Sequence, residues 1–149
     1  MFADDLARRF YPTMNQPGAS SSWIHANLDA YESVGFGLWV IEHKETGDFL
    51  GDCGLSMQTV DGRELVEVGY HLTAAQRGKG YATEAGRACV DFAFRDVGVA
   101  TVCSIVDPAN AASIAVASQL HTDRREAEYH GRRMILFSTD READRSKTV

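Results

Sequence analysis

The chain has 149 residues, of which 44% are hydrophobic and 24% charged, and its formal net charge is −6. This composition is typical of one soluble globular domain, and no apolar run approaches the ~20 residues of a membrane-spanning helix. An acidic balance without a basic, aromatic-rich stripe argues against nucleic acid as a partner. The opening MFADDLARRF lacks the segment order of a signal peptide, which favours a cytoplasmic location without membrane association.

Residues 1–34 are predicted to be helical. Acidic residues begin a short helix in DDLARRF, NQPGASSS forms a loop, and the serines at 20–22 offer N-caps for a second helix that Gly35 ends. One face of that helix should hold Trp23, Ile24, Asn27, Leu28 and Tyr31. The spacing of Trp23, Phe36 and Trp39 favours core packing, with a place in a substrate cleft as the alternative.

Three strand-like runs follow: FGLWVIEH, FLGDCGLSMQ and ELVEVGYHL. The turn sequences KETGD and VDGR separate them, which predicts an antiparallel meander. Gly69, inside the third run, indicates a β-bulge or a close approach of another backbone.

The second half of the chain alternates helices and strands. The stretch YATEAGRACVDFAFRDVG places Ala82, Ala85, Cys89, Phe92 and Ala93 on one helical face, with Gly98 as a C-cap. A strand (ATVCSIVD), a helix (PANAASIAVASQL) and a hairpin (REAEYH and RRMILFST, turning at Gly131 and Arg132) follow, and residues 140–149 form a charged, flexible tail. This order predicts one α/β domain of the α+β type over residues 1–149, with a mixed sheet flanked by helices.

The stretch QRGKG, between the third strand and the next helix, is a candidate anion site. Gly78 and Gly80 allow close approach of a ligand, and N–H groups at a helix start favour phosphate oxygens. Arg77 and Lys79 add positive charge, although a plain capped loop is the alternative reading. A Walker A loop does not fit because Gly80 follows Lys79, and a dinucleotide fingerprint does not fit because Thr83 stands where Gly or Ala is needed.

QRGKGYA, residues 76–82, matches the Q/R-x-x-G-x-G/A loop of the GNAT superfamily of acyl-CoA-dependent N-acetyltransferases. ELVEVGYHL before it and DPANAASIAVASQL after it resemble the RimJ/RimL-type branch, which acetylates protein N-terminal amines and small amines. The resemblance covers roughly residues 35–138, with a weaker match in the first helices. It implies the GNAT fold, a mostly antiparallel sheet that splays apart at the acyl-CoA site. The customary first strand is not found in the sequence, so either the start was trimmed or the protein lacks one edge strand.

The resemblance further implies acetyl-CoA as the acyl donor and an amine as the acceptor. Amides of residues 77–82 would hold the coenzyme diphosphate, and the edge of the VGYHL strand would pair with the pantetheine arm. Amides freed near Gly69 would polarise the thioester carbonyl. The coenzyme-binding residues expected on this basis are Gly69, Tyr70, His71, Leu72, Gln76, Arg77, Gly78, Lys79, Gly80, Tyr81, Ala82, Thr83, Asn110 and Ser113.

Glu67 is the candidate general base because it precedes Gly69 by two residues on the acyl-binding strand; the alternative is a solvated carboxylate. Glu64 falls on the opposite face. His71 shares the face of Glu67 and is expected to be a hydrogen-bonded structural histidine, with proton relay as the alternative. Tyr129 and His130 would border an acceptor pocket.

Two departures from the family pattern leave other functions open. Ala117 stands where many members have a tyrosine acid, and LHT (residues 120–122) replaces the usual glycine-containing turn. The missing tyrosine and the shortened start favour, as an alternative, a degenerate domain that binds acyl-CoA without turnover. A non-enzymatic anion- or nucleotide-binding module, which would use only the glycine turn, is a further alternative. The chain is expected to be a monomer or homodimer without a metal site, and its three cysteines, Cys53, Cys89 and Cys103, are expected to be buried hydrophobes.

Overall fold

Six strands form one sheet in the computed structural model, which describes residues 1–142. The strands are β1 (Leu38–Glu42), β2 (Phe49–Val60), β3 (Arg63–Leu72), β4 (Thr101–Val106), β5 (Asp123–Tyr129) and β6 (Arg132–Asp140). The helices are α1 (Asp5–Phe10), α2 (Ala19–Ser33), α3 (Tyr81–Phe92) and α4 (Ala111–Leu120). In residues 1–142, no helix combines the length and hydropathy that crossing a membrane requires.

The predicted meander and element order are confirmed. The sheet order is β1-β2-β3-β4-β6-β5, and all neighbours are antiparallel except β3 and β4. Asp61 and Gly62 have φ of 48° and 72°, the left-handed pair that suits a two-residue turn between β2 and β3.

The sheet opens between its two parallel strands, β3 and β4. Only Val66 with Val102 and Glu67 with Cys103 are paired. Beyond these pairs, both strands continue without hydrogen-bonded pairing between them. Beyond this point the hydroxyl of Ser104 donates to the carbonyl oxygen of Val68 at 2.9 Å. The predicted splay is therefore present, and it begins at Glu67.

One face of the sheet packs on α3 to make the main core. The core joins Leu55, Val68 and Val102 of the sheet to Cys89 and Val90 of α3. The predicted helical face is confirmed, since Ala82, Cys89 and Ala93 are buried and Ala85 and Phe92 pack against the core. α3 then continues as a short π-helical segment, Ala93–Val97, which Gly98 ends with a φ of 83°.

The prediction for the start of α2 is wrong. Gly18 is the N-cap, with a φ of 79° and no side-chain capping bond, so the serines at 20–22 lie inside the helix. Its buried side is also narrower than predicted, because Ile24 and Leu28 are exposed. Asn27 fastens α2 to the sheet instead, since its Oδ1 accepts from the backbone N–H of Leu38 at 2.8 Å.

The prediction of a bulge at Gly69 is also wrong. The β2–β3 register runs without interruption and pairs Gly69 with Gly54, whereas the register shift of the sheet lies between Ile41 and Glu42. A close approach does occur at Gly54, where a Cβ would overlap the carbonyl oxygen of Gly37. At Gly69, by contrast, β3 presents no side chain between Glu67 and His71 on their shared face, and only a methyl group of Leu38 lies nearby.

Two boundaries near the C-terminus differ from prediction. The last hairpin turns at His130 and Gly131, with φ of 49° and 71°, and Arg132 already begins β6. Asp140 ends β6 and the guanidinium of Arg141 donates to the carbonyl of Phe94 at 2.6 Å, so the predicted tail starts too early. The rest of the predicted tail, residues 143–149, lies outside the described residues.

Candidate active site

The glycine turn presents a row of backbone N–H groups. Gly78 and Gly80 have φ of 74° and 86°, and Gly80 caps α3 without a side-chain bond. Within residues 1–142, the N–H groups of residues 78–83 donate to no protein acceptor. The N–H of Arg77 instead donates to the carbonyl of Ala74, so it does not belong to this row. Such a row at a helix start is suited to an anion.

The two cations of the turn are engaged within the protein. The Arg77 guanidinium binds the carboxylate of Asp4 through two bonds of 2.8 and 2.9 Å, so its charge is already compensated. The Arg77 guanidinium holds the pKa of the Asp4 carboxyl well below its usual range. The ammonium of Lys79 donates to Gln76 at 3.0 Å and remains exposed. Only the charge of Arg77 is compensated, so the exposed ammonium of Lys79, the backbone N–H groups and the dipole of α3 remain as the positive features of the turn.

Two cavities meet where β3 and β4 part. The smaller, of about 330 Å³, runs from the glycine turn along α4, and the larger, of about 890 Å³, lies among α2, the sheet and the last hairpin. The residues that line both cavities are Tyr11, Tyr70, His71, Asn110 and Ser113. We call these residues the junction. These side chains border both cavities.

The junction includes several of the predicted coenzyme-binding residues. The smaller cavity is lined by ten of them: Tyr70, His71, Leu72, Arg77, Gly78, Gly80, Ala82, Thr83, Asn110 and Ser113. Gly69 lines the larger cavity, whereas Gln76, Lys79 and Tyr81 are not among the residues lining either one.

The start of α4 is fixed to the open edge of β3. Asn110 is buried and caps α4, its Oδ1 accepting from the N–H of Ser113 at 3.2 Å. The hydroxyl of Tyr70 donates to the carbonyl of Ser113 at 2.9 Å and so bridges the gap between strand and helix. Ala117, further along α4, is buried against β4 and β6 and brings no polar group to the junction.

Glu67 lies at the fork of the two strands, in a polar network that reaches the last hairpin. Its carboxylate accepts from the N–H of Ile105 and from the hydroxyl of Ser56, both at 3.3 Å. Gln58 donates to Ser56 at 3.1 Å and accepts from the hydroxyl of Tyr129 at 2.6 Å. Removal from water raises the pKa of Glu67 from 4.5 to about 6, against the lowering effect of these hydrogen bonds. A carboxyl of this pKa exchanges protons near neutral pH.

His71 is held from several sides, as expected for a structural histidine. Its Nδ1 lies 2.7 Å from a carboxylate oxygen of Asp52, on the neighbouring strand β2. The rings of Phe2, Tyr11 and Trp23 meet the imidazole edge to face, with centroids at 5.2, 4.7 and 5.6 Å. Trp23 lines the larger cavity and is not among the core residues, so its expected place in the core is wrong. Phe36 is buried in the core and Trp39 packs against it, as predicted.

Sequence reasoning missed the N-terminal contribution to the site. Phe2, Leu6 and Ala7 line the smaller cavity, and Tyr11 lies at the junction. The motif at residues 76–82 gave no sign of them because they approach from more than sixty positions away in the chain. A possible signal was Asp4, an acidic N-cap residue that can also pair with a cation.

The cysteines lie outside both cavities. Cys53, Cys89 and Cys103 are buried as predicted, and none is among the cavity-lining residues. The sulfurs of Cys53 and Cys89 are 3.6 Å apart, and burial raises the pKa of Cys103 to about 12. The remaining predicted neighbours fall as expected, with Tyr129 and His130 lining the larger cavity and Glu64 exposed at the hairpin end.

The family model of the acetyltransferase (GNAT) domain matches residues 1–122. The chain belongs to the GNAT acetyltransferase family. The match includes the N-terminal helices, where the resemblance by motif is weaker. This GNAT domain is an acetyltransferase, and its open, mostly antiparallel sheet is the sheet of the GNAT fold.

Individual relatives agree with the family model. An uncharacterised protein of Bacillus subtilis, YkkB, is 33% identical over 120 residues, covering 80% of this GNAT domain and 70% of the relative. An acetyltransferase of Agrobacterium tumefaciens superposes with a TM-score of 0.72 at 26% identity, covering 85% of this chain and 73% of that one. The fold is also shared with AAC(6')-Ib, solved with paromomycin and acetyl-CoA, with a TM-score of 0.78 at 14% identity over 99% of this chain and 88% of that one.

Proposed function

We propose that this GNAT domain transfers an acetyl group from acetyl-CoA to a primary amine by direct attack in a ternary complex. The meeting of the two cavities where β3 and β4 part carries the proposal, because it gives donor and acceptor separate entrances to one point. The structure of AAC(6')-Ib with acetyl-CoA supports the choice of donor.

The coenzyme diphosphate binds at the unpaired N–H groups of residues 78–83, where the dipole of α3 adds to the attraction. The pantetheine arm then follows the smaller cavity between β3 and α4, past Asn110 and Ser113. Backbone groups of β3 that have lost β4 as a partner are available to pair with the amides of the arm. With the coenzyme held in this way, its thioester lies at the junction.

The amide of Tyr70 polarises the thioester carbonyl. Backbone groups of successive residues in a strand point to opposite edges, and the carbonyl of Val68 points to the β4 edge because Ser104 binds it there. The N–H of Tyr70, two residues on, points to the same edge, into the gap. A fixed donor at this place stabilises the charge that develops on the carbonyl oxygen during attack.

Glu67 accepts the proton of the attacking amine, directly or through water. Its carboxylate lies at the start of the gap and lines the larger cavity, from which the amine approaches. About a tenth to a fifth of an α-amino group with pKa 7.7–8.0 is neutral at pH 7, whereas deprotonating a lysine costs about 4–5 kcal/mol. A base with a pKa of about 6 therefore suits an α-amine or an amine of similar acidity.

The acceptor is a protein N-terminus or a small-molecule amine. The resemblance of residues 64–72 and 107–120 to the RimJ/RimL-like branch supports this class. The walls of the larger cavity combine aromatic and aliphatic side chains, among them Phe10, Trp23 and Met134, with the polar group of Glu67 at its inner end. An amine that carries an apolar neighbouring group fits this combination.

Calorimetric titration with acetyl-CoA and, separately, with ATP tests the donor site. Acetyl-CoA should bind and ATP should not; the reverse would support a nucleotide-binding module. Gly80→Ala should weaken acetyl-CoA binding, and Gly47→Ala is its matched control. Both glycines have positive φ, 86° and 75°, and open space at Cβ, so the backbone strain is similar and only the position differs.

Thiol release with a panel of amines, followed by mass spectrometry of the products, tests the transfer itself. Acetylated product together with free coenzyme A is expected. Tight binding of acetyl-CoA without product from any amine would instead indicate a domain that binds acyl-CoA without turnover.

A further inference from the structure

This inference rests on the proposed acetyl transfer. Attack by an amine makes a tetrahedral adduct, and its collapse expels the coenzyme as a thiolate. A nearby O–H group that protonates the sulfur assists this departure. The thioester sits at the junction in the proposed complex, so the hydroxyl groups there are the candidate donors. The junction contains three: Tyr11, Tyr70 and Ser113.

The hydrogen bonds of the junction distinguish the three hydroxyls. The Tyr70 proton is committed, because its hydroxyl donates to the backbone carbonyl of Ser113 at 2.9 Å. Burial raises the pKa of both phenols, and the nearby Ser113 side chain lowers each pKa by less. Ser113 thus acts on the phenols as a neighbouring polar group. Among residues 1–142, no backbone carbonyl accepts a hydrogen bond from the hydroxyl of Tyr11, in contrast to Tyr70.

Tyr11 is positioned by α1, which spans the site from the glycine turn to the junction. Asp4 caps the start of α1 by accepting from the N–H of Ala7 at 3.1 Å, and the same carboxylate binds Arg77 of the turn. At the other end, the N–H of Tyr11 donates to the carbonyl of Ala7 at 2.7 Å. A six-residue helix is about 9 Å long, so it connects the diphosphate site with the thioester site.

The ring of Tyr11 is fixed independently of its hydroxyl. It meets the ring of Phe2 at 5.6 Å and the ring of His71 at 4.7 Å, both edge to face. The Nδ1 of His71 is in turn held by Asp52. These contacts depend on the aromatic ring, so a phenylalanine at position 11 would keep them. The hydroxyl can therefore be removed without dismantling its surroundings.

We propose that Tyr11 is the general acid of the reaction, donating its phenolic proton to the coenzyme sulfur. The N–C bond forms while Glu67 removes a proton from the amine, the C–S bond breaks, and the sulfur takes the proton of Tyr11. The products are the acetylated amine and coenzyme A with its thiol restored. The tyrosine phenolate then regains a proton from protonated Glu67 through water, which returns both groups to their starting states.

The charged groups around Tyr11 keep its proton in place until the sulfur needs it. Burial raises the pKa of the phenol, the carboxylates of Glu67 and Asp52 raise it further, and Arg77 and Ser113 lower it. His71 contacts the ring. The phenol is thus protonated throughout the neutral range, as an acid must be before it acts.

Tyr11→Phe tests the proposal, with Tyr31→Phe as the matched control. Tyr31 donates to the carbonyl of Leu38 at 2.6 Å and lies outside both cavities. In Tyr11→Phe, kcat with acetyl-CoA and the best amine should fall roughly 10- to 100-fold, near the lower end for general acids because a thiolate is a fair leaving group. The Kd for acetyl-CoA should stay within about 3-fold because the ring contacts remain.

A second variant separates acid chemistry from packing. Replacing Tyr11 by 3,5-difluorotyrosine lowers the pKa of the phenol with little change in shape. The alkaline limb of the kcat profile should then move to lower pH, which a merely structural tyrosine would not cause.

The outcomes distinguish this inference from the function on which it rests. Wild-type protein that releases thiol with an amine, together with an unchanged kcat in Tyr11→Phe, overturns the role of Tyr11 alone. An alkaline limb that does not move with fluorination overturns it as well. Wild-type protein that releases no thiol with any amine overturns the acetyl transfer and this inference together.

Discussion

The carboxylate of Asp4 binds the guanidinium of Arg77 through two parallel hydrogen bonds, at 2.8 and 2.9 Å, although 73 positions separate the two residues. Two parallel bonds of this kind fix orientation as well as distance. The pair ties α1, and with it Tyr11, to the loop that is proposed to hold the coenzyme diphosphate. It also places a negative charge close to an anion site.

Asp4→Asn should therefore change affinity and rate in opposite directions. Asparagine still caps α1, but the charge that opposes the diphosphate is gone, so acetyl-CoA should bind about 2- to 5-fold more tightly at low salt, with the gain shrinking as salt rises. The kcat should fall because Tyr11 is less firmly held. Calorimetry and steady-state kinetics measure the two effects.

The control for this variant is Asp5→Asn. Asp5 is exposed and carries the same charge one position away, so a general electrostatic effect would appear in both variants. Equal changes in the two variants would contradict a specific role for the pair between Asp4 and Arg77.

The base assignment makes a prediction about pH. Glu67 must be ionised to accept a proton, so kcat/KM should rise with pH through an acid limb near 6, the pKa of this carboxyl. Glu67→Gln should remove that limb and lower kcat by roughly 100-fold or more, with little effect on the Kd for acetyl-CoA. Glu64→Gln, three positions away and exposed, should behave as wild type.

The sequence predicts the parts of this site that depend on local pattern. Alternating runs and turn sequences predict the meander, and the glycines at 78 and 80 predict the turn with open amides. A local sequence pattern does not predict contacts between distant segments, so the sequence does not predict the pairing of Asp4 with Arg77. Arg77 was expected to add positive charge to the anion site, and a carboxylate from α1 compensates that charge instead.

The surroundings of a side chain also cannot be predicted from the local sequence. The fork between β3 and β4 lies beside Glu67 only because β4 arrives in a register that pairs Glu67 with Cys103. Gly69 illustrates the converse, since a glycine in a strand suggests a bulge, yet here it faces Gly54 in regular register. Whether a glycine in a strand marks a bulge, a close contact or an open cavity wall depends on the neighbouring strands.

The burial of Glu67 makes a prediction about stability. Folding raises its pKa from 4.5 to about 6, so ionisation of Glu67 lowers the free energy of unfolding. This loss is absent below pH 4.5 and complete above about pH 6. At 1.36 kcal/mol per unit, the cost at pH 7 is about 2 kcal/mol. Glu67→Gln should therefore stabilise the fold by about 1–2 kcal/mol at pH 7.

Urea unfolding at several pH values checks this sign. The advantage of Glu67→Gln should diminish below pH 6 and disappear near pH 4, where wild-type Glu67 is protonated in both states. A variant that is less stable than wild type at pH 7 would show that the carboxylate is a structural group, held by its bonds with Ser56 and Ile105.

The glycine pair between β2 and β3 separates folding from catalysis. A Cβ at Gly54 would overlap the carbonyl of Gly37 and lie 2.6 Å from the Cα of Leu38, whereas a Cβ at Gly69 would meet only a methyl group of Leu38 at 3.8 Å. Gly54→Ala should therefore destabilise the fold by about 3 kcal/mol. The free energy of unfolding of Gly69→Ala should lie within about 1 kcal/mol of the wild-type value.

Gly69→Ala should nevertheless impair the reaction. Gly69 lines the larger cavity on the same strand face as Glu67 and His71, so an added methyl group enters the space between the base and the junction. A displacement of about 1 Å between reacting groups can cost 100-fold, so kcat/KM for the amine should fall on the order of 10-fold or more. The Kd for acetyl-CoA should change little. Full activity in a stably folded Gly69→Ala would mean that the amine does not pass this face of β3, and its route through the larger cavity would have to be abandoned.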